Sequence, residues 1–369
     1  MNIVYVYADH ESEWNCSEWR CAVPARAINR TSRHHAKLLS IDDFRLNTPL
    51  AVEICQAADI IVVQRNLFEL VLSAMQHWKA RDKAIIVDFD DAYQLLPVNH
   101  PNYSFWNQGI IRLPNLPIQK IDPPPLTQFK WGLKLAHAAT VPSKRLADDW
   151  QSYTEIHYLP NYIDLKLYEN AIKEKHTGVI IGWGGSVSHL QSFTNSGVVA
   201  ALKKVCTARP QVTVMICGND RRIFDLLQIP NRQKILHPWV NYKEWPSILA
   251  NFDIGLAPLS GEYDERRSWI KVLEYMVMKI PWVASDGNAY QEMKHFGWLV
   301  KNNPEAWERI LIDMVDHISD YKNEAAGEPY LFGISQNIDE NINRVITLYE
   351  KIYQKAIGNT QLIQKAEMI

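Results

Sequence analysis

Three charged residues in the second half of the chain combine types and spacings that suit phosphate chemistry. Arg267, Lys271 and Glu274 follow one another at i, i+4 and i+7, so a helix that carries all three presents them on one face. If Ser268 is the N-cap instead, Arg267 lies just outside the helix start. Two cations beside helix N–H groups suit a diphosphate, and a carboxylate can accept two hydrogen bonds from a ribose diol. The alternative is a surface ion pair between Lys271 and Glu274, worth only about 0.3–0.5 kcal/mol.

A glycine-rich loop in the stretch GVIIGWGGSVSHL (178–190) is a second candidate anion site. It lies between an apolar run and an amphipathic stretch, where backbone N–H groups and the partial positive charge of a helix start favour phosphate. Its candidate phosphate contacts are Gly184, Gly185 and Ser186. Ser188 with Gln191 predicts a capping box at the helix start, and His189 is a candidate contact for phosphate or sugar. The alternatives are a tight strand–helix turn and a histidine on a helix surface.

Carboxylates follow one apolar run in the first half of the chain. In VDFDDAY (87–93), Asp88, Asp90 and Asp91 come at the end of a predicted strand, and ligands bind beyond the carboxyl ends of parallel strands. Asp90 or Asp91 could orient or deprotonate a hydroxyl group. A two-acid hydrolase site, a strand-end Mg²⁺ pocket, helix capping and solvated turn acids are the alternatives. Other polar residues expected at this edge are Asp9, His10, Arg20 and Arg26.

Short apolar runs alternate with longer helical stretches along the chain. The predicted buried parallel strands are residues 2–8, 59–65, 84–90, 138–143, 179–185, 212–218, 234–240, 254–259 and 281–286. The predicted helices are residues 66–81, 188–208, 243–251, 269–279, 304–319 and 334–358. This alternation indicates an α/β protein with two doubly wound sheets. We expect an N-terminal domain at 1–169, a C-terminal domain at 170–333 and a terminal helix and tail at 334–369.

Length and composition limit the class of protein. The 369 residues suit two domains, and the 47% apolar fraction supports a core in each. A net charge of −2 argues against a general nucleic-acid binder, which carries a basic excess. The five scattered cysteines favour a reduced, cytoplasmic protein. No signal peptide and no transmembrane helix are expected, while peripheral contact with the inner face of a membrane stays open.

Four motifs share their order and spacing with one known group of proteins. They are SEWRCAVPARAI (17–28), LPNYID (159–164), IGWGGSVSHL (181–190) and the strand–loop–helix–strand stretch at 253–286. In this order they resemble the GT-B glycosyltransferases, particularly the large retaining group called family 4, or glycosyl transferases group 1. The resemblance implies two Rossmann-like domains facing a central cleft, with the C-terminal helix returning toward the first domain.

The resemblance also implies a role for each member of the charged trio. Arg267 and Lys271 would stabilise the departing diphosphate of a nucleotide-diphosphate sugar, helped by the loop at 184–186, and Glu274 would hold the ribose. Two basic side chains are consistent with the metal-independent, cofactor-free reaction that the resemblance implies. One position departs from the pattern: the family often has a glutamate eight residues before the second glutamate, and Arg266 stands there.

In the resembling family, the loop at 236–245 lies by the base of the nucleotide. Trp239 would then stack on the base, and the backbone groups of Val240 would read its edge. Core packing of Trp239 is the alternative.

Three functions remain open on these grounds. A glycosyltransferase would move the sugar to a glycan, a lipid-linked or another hydroxyl acceptor with retention of configuration, as in polysaccharide synthesis. A nucleotide-sugar epimerase of the same fold would process the donor without an acceptor. A non-catalytic protein would bind the nucleotide sugar alone, and Arg266 is the best support for that reading.

Overall fold

The chain folds into two compact units. The computed structural model describes residues 1–112 and 116–367, and of residues 13 and 359–367 it describes the backbone alone. The first unit comprises Met1–Val98, Asn102–Tyr162 and the chain from Ile338 onward, and the second comprises Asn99–Pro101 and Ile163–Asn337.

The chain joins the second unit before the predicted start of the C-terminal domain at residue 170. Ile163 forms a parallel bridge with Asn337, and the second unit runs from Ile163. Just after residue 170, the backbone N–H of Ile172 donates to the hydroxyl of Ser247 at 3.0 Å.

A sheet of parallel strands forms the core of the first unit. The strands in this part of the chain are β1 (Asn2–Tyr7), β2 (His35–Ser40), β3 (Ile60–Gln64), β4 (Ala84–Asp88), β5 (Ile110–Ile111), β6 (Gln119–Lys120), β7 (Ala138–Val141) and β8 (Ile156–Tyr158). Six of them form the sheet in the order β2-β1-β3-β4-β7-β8, and β5 and β6 form a separate antiparallel pair. The central strands β3, β4 and β7 are buried along their whole length, as the apolar runs predict.

Helices connect these strands. They are α1 (Val23–Arg30), α2 (Ile41–Leu46), α3 (Pro49–Gln56), α4 (Leu70–Lys79), α5 (Tyr103–Gln108), α6 (Pro125–Leu135) and α7 (Lys144–Trp150). The side chains of Ser40, Thr48 and Ser143 accept backbone N–H groups at the starts of α2, α3 and α7. These caps satisfy donors that have no acceptor inside the helix, so they set where each helix begins.

The second unit has a sheet of the same kind. Its strands are β9 (Val179–Gly184), β10 (Val212–Cys217), β11 (Lys234–His237), β12 (Ile254–Ala257), β13 (Trp282–Ser285) and β14 (Trp298–Val300). They are parallel, in the order β11-β10-β9-β12-β13-β14. The two doubly wound sheets predicted from the sequence are therefore confirmed. Among the strands of these two sheets, β2, β8 and β14 were not predicted, and β11 was predicted to be buried but is at least partly exposed along its whole length. All four lie at the edge of a sheet.

The second unit has two helices where the sequence predicts one continuous helix at 188–208. The helices of this unit are α8 (Leu190–Asn195), α9 (Val198–Ala208), α10 (Arg222–Leu226), α11 (Trp245–Leu249), α12 (Ile270–Val277), α13 (Pro304–Asp316), α14 (Ile318–Ala325) and α15 (Glu328–Ser335). The predicted continuous helix at 188–208 is interrupted at Gly197, which has a φ of +85°. A Cβ there would lie 2.6 Å from the backbone nitrogen of Pro304, so the break also lets α13 approach.

The last helix, α16 (Ile338–Glu367), belongs to the first unit and packs on α1 and β4. Tyr349 on this helix is buried, and its ring centroid lies 6.2 Å from that of Tyr5 in β1. The C-terminal helix thus returns to the first unit, as expected. Among the described residues, no helix combines the length and the apolar character needed to cross a membrane.

A buried ion pair joins distant segments of the first unit. The Nε and Nη2 atoms of Arg20 donate to the two carboxylate oxygens of Asp88 at 2.9 and 2.7 Å, and both residues are buried. The Nη1 atom of Arg20 donates to the carbonyl of Leu159 and to the side chain of Asn161 at 2.8 and 2.9 Å. Arg20 therefore ties the segment after β1 to the end of β4 and to the LPNYID motif. Arg20 was expected at the carboxyl ends of the strands, and its contact with Asp88 places it at the end of β4, with its three nitrogens bonded inside the fold.

We predict that Asp88→Asn lowers the free energy of unfolding by about 3–5 kcal/mol, because it leaves the buried guanidinium of Arg20 without a counter-charge. Urea unfolding followed by circular dichroism measures this. The matched control is Asp225→Asn, which breaks the exposed i,i+4 pair with Arg221 and should cost only about 0.5 kcal/mol. Equal losses in the two variants would contradict a structural role for the buried pair.

Candidate functional site

The strand order of the second unit marks one edge of its sheet as the place for a ligand. The order reverses between β9 and β12, which are neighbours although β10 and β11 lie between them in the chain. Ligands of doubly wound sheets bind in the crevice outside the carboxyl ends of the strands at this point. Gly184 is the last residue of β9, and the loop from Pro258 onward follows β12. The predicted phosphate residues meet here.

Lys271 on α12 reaches the end of β9. Its Nζ atom donates to the carbonyl oxygen of Gly184 at 2.5 Å and lies 5.0 Å from the ring centroid of Trp183. Burial lowers the pKa of the ammonium group to about 8, with the charge of Arg267 acting in the same direction and that of Glu274 opposing it. The structure thus places a partly desolvated cation beside the glycine-rich loop, as the spacing of the residues predicts.

Glu274, one turn further along α12, is buried. Its Oε1 atom accepts the indole N–H of Trp245 at 2.6 Å and the hydroxyl of Tyr168 at 3.1 Å. Burial raises the pKa of this carboxyl to about 7, although Lys271 and the two hydrogen bonds favour its charged form. The alternative of a surface ion pair between Lys271 and Glu274 is wrong, because Glu274 is buried and Lys271 bonds to the backbone of β9.

Arg267 lies outside α12. The helix begins at Ile270, and Trp269 is its N-cap residue, so neither the shared helix face nor Ser268 as N-cap is correct. Arg267 instead follows the 3₁₀ turn Asp264–Arg266 with an extended backbone, φ −67° and ψ 157°. A tight turn precedes it because the backbone N–H of Arg267 donates to the carbonyl of Asp264 at 3.1 Å.

The side chain of Arg267 nevertheless reaches the glycine-rich loop. Its Nη2 atom donates to the hydroxyl of Ser188 at 3.1 Å, and its Nε atom donates to Asp264 at 2.8 Å. Its Cζ atom lies 4.9 Å from the ring centroid of Tyr263. The structure therefore brings Arg267, Lys271 and the loop after β9 together, while the local backbone differs from the predicted helix.

The glycines of the loop make room for indole rings. A Cβ on Gly184 would lie 2.3 Å from the ring of Trp245, and one on Gly185 would lie 2.7 Å from the ring of Trp183. The N–H of Gly185 donates to the carbonyl of Cys217 at 3.0 Å, which continues the pairing of β9 with β10. The bare backbone at these two positions is thus required first by packing, and their peptide groups are largely used inside the unit.

The amide donors that remain lie one or two residues further on. Ser186 caps the 3₁₀ turn Val187–His189, and its side chain accepts the N–H of Ser188 at 3.4 Å. The predicted capping box of Ser188 with Gln191 is wrong, since the turn starts earlier. Among the described residues, the N–H groups of Ser186 and Val187 have no acceptor, as expected for the first donors of a helical turn. An anion at this position would find them available.

His189 is buried against the same indole. Its ring centroid lies 5.5 Å from that of Trp183, in an edge-on arrangement. Burial lowers the pKa of the imidazole well below its ordinary value, and Arg267, Lys271 and His100 add to the effect. The imidazole is therefore neutral at physiological pH, and the alternative of an exposed helix histidine is wrong.

A three-residue segment, Asn99–Pro101, belongs to the second unit although its sequence neighbours belong to the first. His100 is buried, and its ring centroid lies 5.1 Å from that of Tyr263. The side chain of Asn99 accepts from Gln191 on α8. His100 thus packs against Tyr263, whose ring lies against Arg267, and Asn99 contacts the helix that follows the turn carrying Ser188.

Trp239 and Val240 lie just beyond the carboxyl end of β11 and are partly buried. Neither residue is buried in the core of the unit, so the alternative, core packing of Trp239, is wrong. Their position at the end of β11, next to β10 in the sheet, is on the same strand edge as the glycine-rich loop.

The carboxylates of the first unit fall into two kinds. Asp88 accepts from Arg20 and from the hydroxyl of Thr140, so its carboxylate is used inside the fold. Among the described residues, the acids at the end of β4 form no group placed to hold Mg²⁺. Asp90 is partly buried, and its Oδ1 atom has no hydrogen-bond partner among the described residues. Burial raises the pKa of Asp90 to about 6, with Asp91 acting in the same direction and Arg65 opposing it. Of the predicted acids, Asp90 has the properties of a general base.

The remaining polar residues after β1 have partners within the first unit. Asp9 accepts the backbone N–H groups of Ser17 and Asn15 at 2.7 and 3.0 Å and pairs with Arg65. Arg26 pairs with Glu18, and His10 is exposed. In the part of the chain that the structure describes, no group of three or more His, Cys, Asp or Glu side chains is placed to hold a metal ion.

Three residues of the site escaped the sequence analysis: Tyr168, Trp245 and Asp264. Trp245 lies in the loop at 236–245, which was predicted to lie by the base, but its role follows only from the contact of its indole N–H with Glu274. Tyr168 and Asp264 have no motif of their own. Their positions follow from packing between distant segments, which a single sequence does not reveal.

Comparison with known proteins agrees with this geometry. Residues 181–317, most of the second unit, match the family model described as Glycosyl transferases group 1. No curated protein sequence matches the chain. The sequence-based resemblance to group 1 glycosyltransferases is thereby confirmed for the second unit.

Solved structures resemble the whole chain in fold. Sucrose-phosphate synthase from Thermosynechococcus elongatus has a TM-score of 0.65 at 12% identity, covering 96% of this chain and 99% of its own. HepE from Anabaena, in complex with UDP and glucose, has a TM-score of 0.61 at 13% identity, with coverages of 95% and 99%. UDP-GlcNAc 2-epimerase from Neisseria meningitidis, bound to UDP-GlcNAc, has a TM-score of 0.51 at 11% identity, with coverages of 95% and 100%. The fold is therefore GT-B, as predicted.

We predict that Gly184→Ala destabilises the protein by about 1–3 kcal/mol, since its Cβ would overlap the ring of Trp245. Displacement of that ring should also quench or shift tryptophan fluorescence. The matched control is Gly287→Ala, where a Cβ meets nothing within 4 Å and the backbone is extended, φ −149°. That control should stay within about 0.5 kcal/mol of the parent protein. A neutral Gly184→Ala would show that the indole does not depend on the glycine.

Proposed function

We propose that this chain, whose second unit matches the group 1 glycosyltransferases over residues 181–317, transfers a sugar from a nucleotide-diphosphate sugar to an acceptor hydroxyl. The observation that carries the proposal is that Lys271 and Arg267 both contact the loop after β9, where the strand order reverses, with Glu274 one turn beyond Lys271 on α12. This arrangement offers cations, backbone N–H groups and a carboxylate within one small region.

The diphosphate is the part of the donor that this region suits best. The ammonium of Lys271, the guanidinium of Arg267 and the N–H groups of Ser186 and Val187 all favour an anion. As the bond from the sugar to the phosphate breaks, negative charge grows on the leaving diphosphate. Fixed cations in a partly desolvated site stabilise that charge more than they stabilise the ground state. The side chains supply the positive charge themselves, which supports a reaction that needs neither metal nor cofactor.

Glu274 is proposed to hold the ribose. A charged carboxylate accepts the two hydroxyls of a diol, and Trp245 and Tyr168 fix its orientation by donating to Oε1. We propose that Trp239 stacks on the base, with the backbone of Val240 at its edge. UDP-sugars are the first donors to test, because HepE binds UDP and UDP-glucose.

The first unit is proposed to bind the acceptor. Asp90 has a buried carboxylate oxygen and a raised pKa, so it can take up a proton near neutral pH from a hydroxyl, with Asp91 beside it. Retention of configuration and a role in cytoplasmic glycan or polysaccharide synthesis, with contact to the membrane surface, are proposed on the resemblance to family 4.

A second candidate function is epimerisation of the nucleotide sugar. The likeness to UDP-GlcNAc 2-epimerase, which is bound to UDP-GlcNAc, is the observation behind it. Incubation with a UDP-sugar alone separates the three readings by chromatography. A changed sugar on intact UDP indicates an epimerase, and slow release of free sugar and UDP indicates a transferase. Calorimetric binding of UDP with an unchanged donor over long incubation would indicate a non-catalytic protein.

We predict that Lys271→Ala and Arg267→Ala each lower kcat/KM for the donor by about 10²–10³-fold, the usual cost of removing one donor to a developing anion. Release of UDP from a UDP-sugar measures the rate, and circular dichroism checks the fold. Arg266→Ala is the matched control, since Arg266 pairs with Glu262 on the surface turn. Near-normal rates in folded Lys271→Ala and Arg267→Ala proteins would contradict the proposed roles of these residues.

We predict a bell-shaped dependence of kcat/KM on pH, with a maximum between pH 7 and 8. As the pH falls below about 7, Glu274 takes up a proton and stops accepting from the diol. As the pH rises above about 8, Lys271 loses the charge that attracts the diphosphate. The two groups lie close together, so the apparent pKa values belong to the pair.

Two variants assign the limbs of that profile. Glu274→Gln should move the acidic limb down to the pKa of Asp90, about 6, and keep the alkaline limb. Lys271→Arg should move the alkaline limb upward, because arginine stays charged. A profile that is flat from pH 6 to 9 would contradict the proposed roles.

A further inference from the structure

Asp264 is a buried carboxylate that none of the proposed chemistry uses. It is 3% exposed and lies in the 3₁₀ turn Asp264–Arg266, between β12 and α12. A buried carboxylate is costly unless several donors satisfy it. Asp264 has three such donors: Ser192 on α8, and Ser260 and Arg267 in the connection between β12 and α12.

The two oxygens of Asp264 have different partners. Oδ2 accepts the hydroxyl of Ser192 on α8 at 2.6 Å and the backbone N–H of Ser260 at 2.8 Å. Oδ1 accepts the Nε–H of Arg267 at 2.8 Å. One oxygen therefore fastens the carboxylate to the fold, and the other holds the guanidinium.

Arg267 needs an external support because no helix carries it. Its backbone is extended and lies before the start of α12, so the position of its head group depends on side-chain contacts. Asp264 holds one edge of the guanidinium, Ser188 contacts Nη2, and the ring of Tyr263 lies against the flat face. A long arginine side chain held this way loses its rotamer freedom before the substrate binds.

We propose that Asp264 is a positioning residue: it sets the orientation in which Arg267 meets the diphosphate of the donor. The inference rests on the proposed function and adds a residue to it. Asp264 acts through Arg267 and has no contact with substrate of its own. Its effect should appear in kcat more than in KM, since orientation matters most for the charge that develops in the transition state.

The variant Asp264→Asn separates positioning from simple electrostatics. The amide oxygen replaces Oδ2 and still accepts from Ser192 and Ser260, which leaves the NH₂ group facing the Nε–H of Arg267. The tie to the fold persists while the tie to Arg267 is lost. The site also gains one net positive charge, so an electrostatic role alone predicts a faster reaction. A positioning role predicts a slower one.

The experiment compares Asp264→Asn, Arg267→Ala and the double variant in UDP release from a UDP-sugar, with calorimetric binding of UDP as a second readout. We expect Asp264→Asn to lower kcat by about 10²-fold, the typical cost of a misplaced catalytic group. We expect no further loss when it is added to Arg267→Ala, because Asp264 acts only through that residue. UDP affinity should change far less than kcat.

The controls distinguish failure of this inference from failure of the proposed function. Ser192→Ala removes one of the two contacts at Oδ2 and leaves the backbone N–H of Ser260, so it should lower kcat less than Asp264→Asn does. If Arg267→Ala keeps its activity, the proposed function fails. If Arg267→Ala loses activity while Asp264→Asn keeps or gains it, the positioning role is overturned. If Asp264→Asn does not fold, Asp264→Ser, which also removes the contact with Nε of Arg267, must lower kcat, and an unchanged kcat overturns the proposal.

Discussion

The burial of two opposite charges on one short helix governs the architecture of the second unit. Lys271 and Glu274 lie on α12 with little access to water, and each needs polar partners to remain there. Lys271 donates to the carbonyl of Gly184, and Glu274 accepts from Trp245 and Tyr168. The requirement for these partners explains features that otherwise look unrelated. A glycine ends β9 because the indole of Trp245 occupies the space that a side chain would take. The chain after the LPNYID motif joins the second unit because Tyr168 must reach Glu274.

Burial also explains which parts of the fold could be predicted. The central strands of both sheets are covered on both faces, so each appears in the sequence as an uninterrupted apolar run. The strands of the two parallel sheets that were not predicted, β2, β8 and β14, lie at sheet edges and are only partly buried, so their sequences are mixed. The helix boundaries were harder for another reason. The break at Gly197 lets α13 approach, and helical periodicity alone does not reveal such a contact between distant segments.

The residues of the candidate site likewise divide into those predicted from local spacing and those placed by contacts between distant segments. The spacing of Lys271 and Glu274 on one helix is a local property, and the sequence was sufficient to predict it. The contacts of Asp264 with α8 and with Arg267 join residues that are distant in the chain or lie in an irregular turn. Arg20 shows the converse: it was expected at the edge of the sheet where ligands bind, yet the buried pair with Asp88 uses its charge inside the fold. A charged residue in a motif thus indicates that a region matters without saying whether its charge meets a ligand or another side chain.

The central claim is that α12 and the loop after β9 bind the diphosphate and ribose of a nucleotide. A crystal structure with UDP bound tests it most directly. We expect phosphate oxygens within about 2.7–3.2 Å of Lys271 Nζ and of the guanidinium of Arg267, and both ribose hydroxyls donating to Glu274. UDP bound elsewhere, with Lys271 still donating only to Gly184 and Glu274 still accepting only from Trp245 and Tyr168, would contradict this claim.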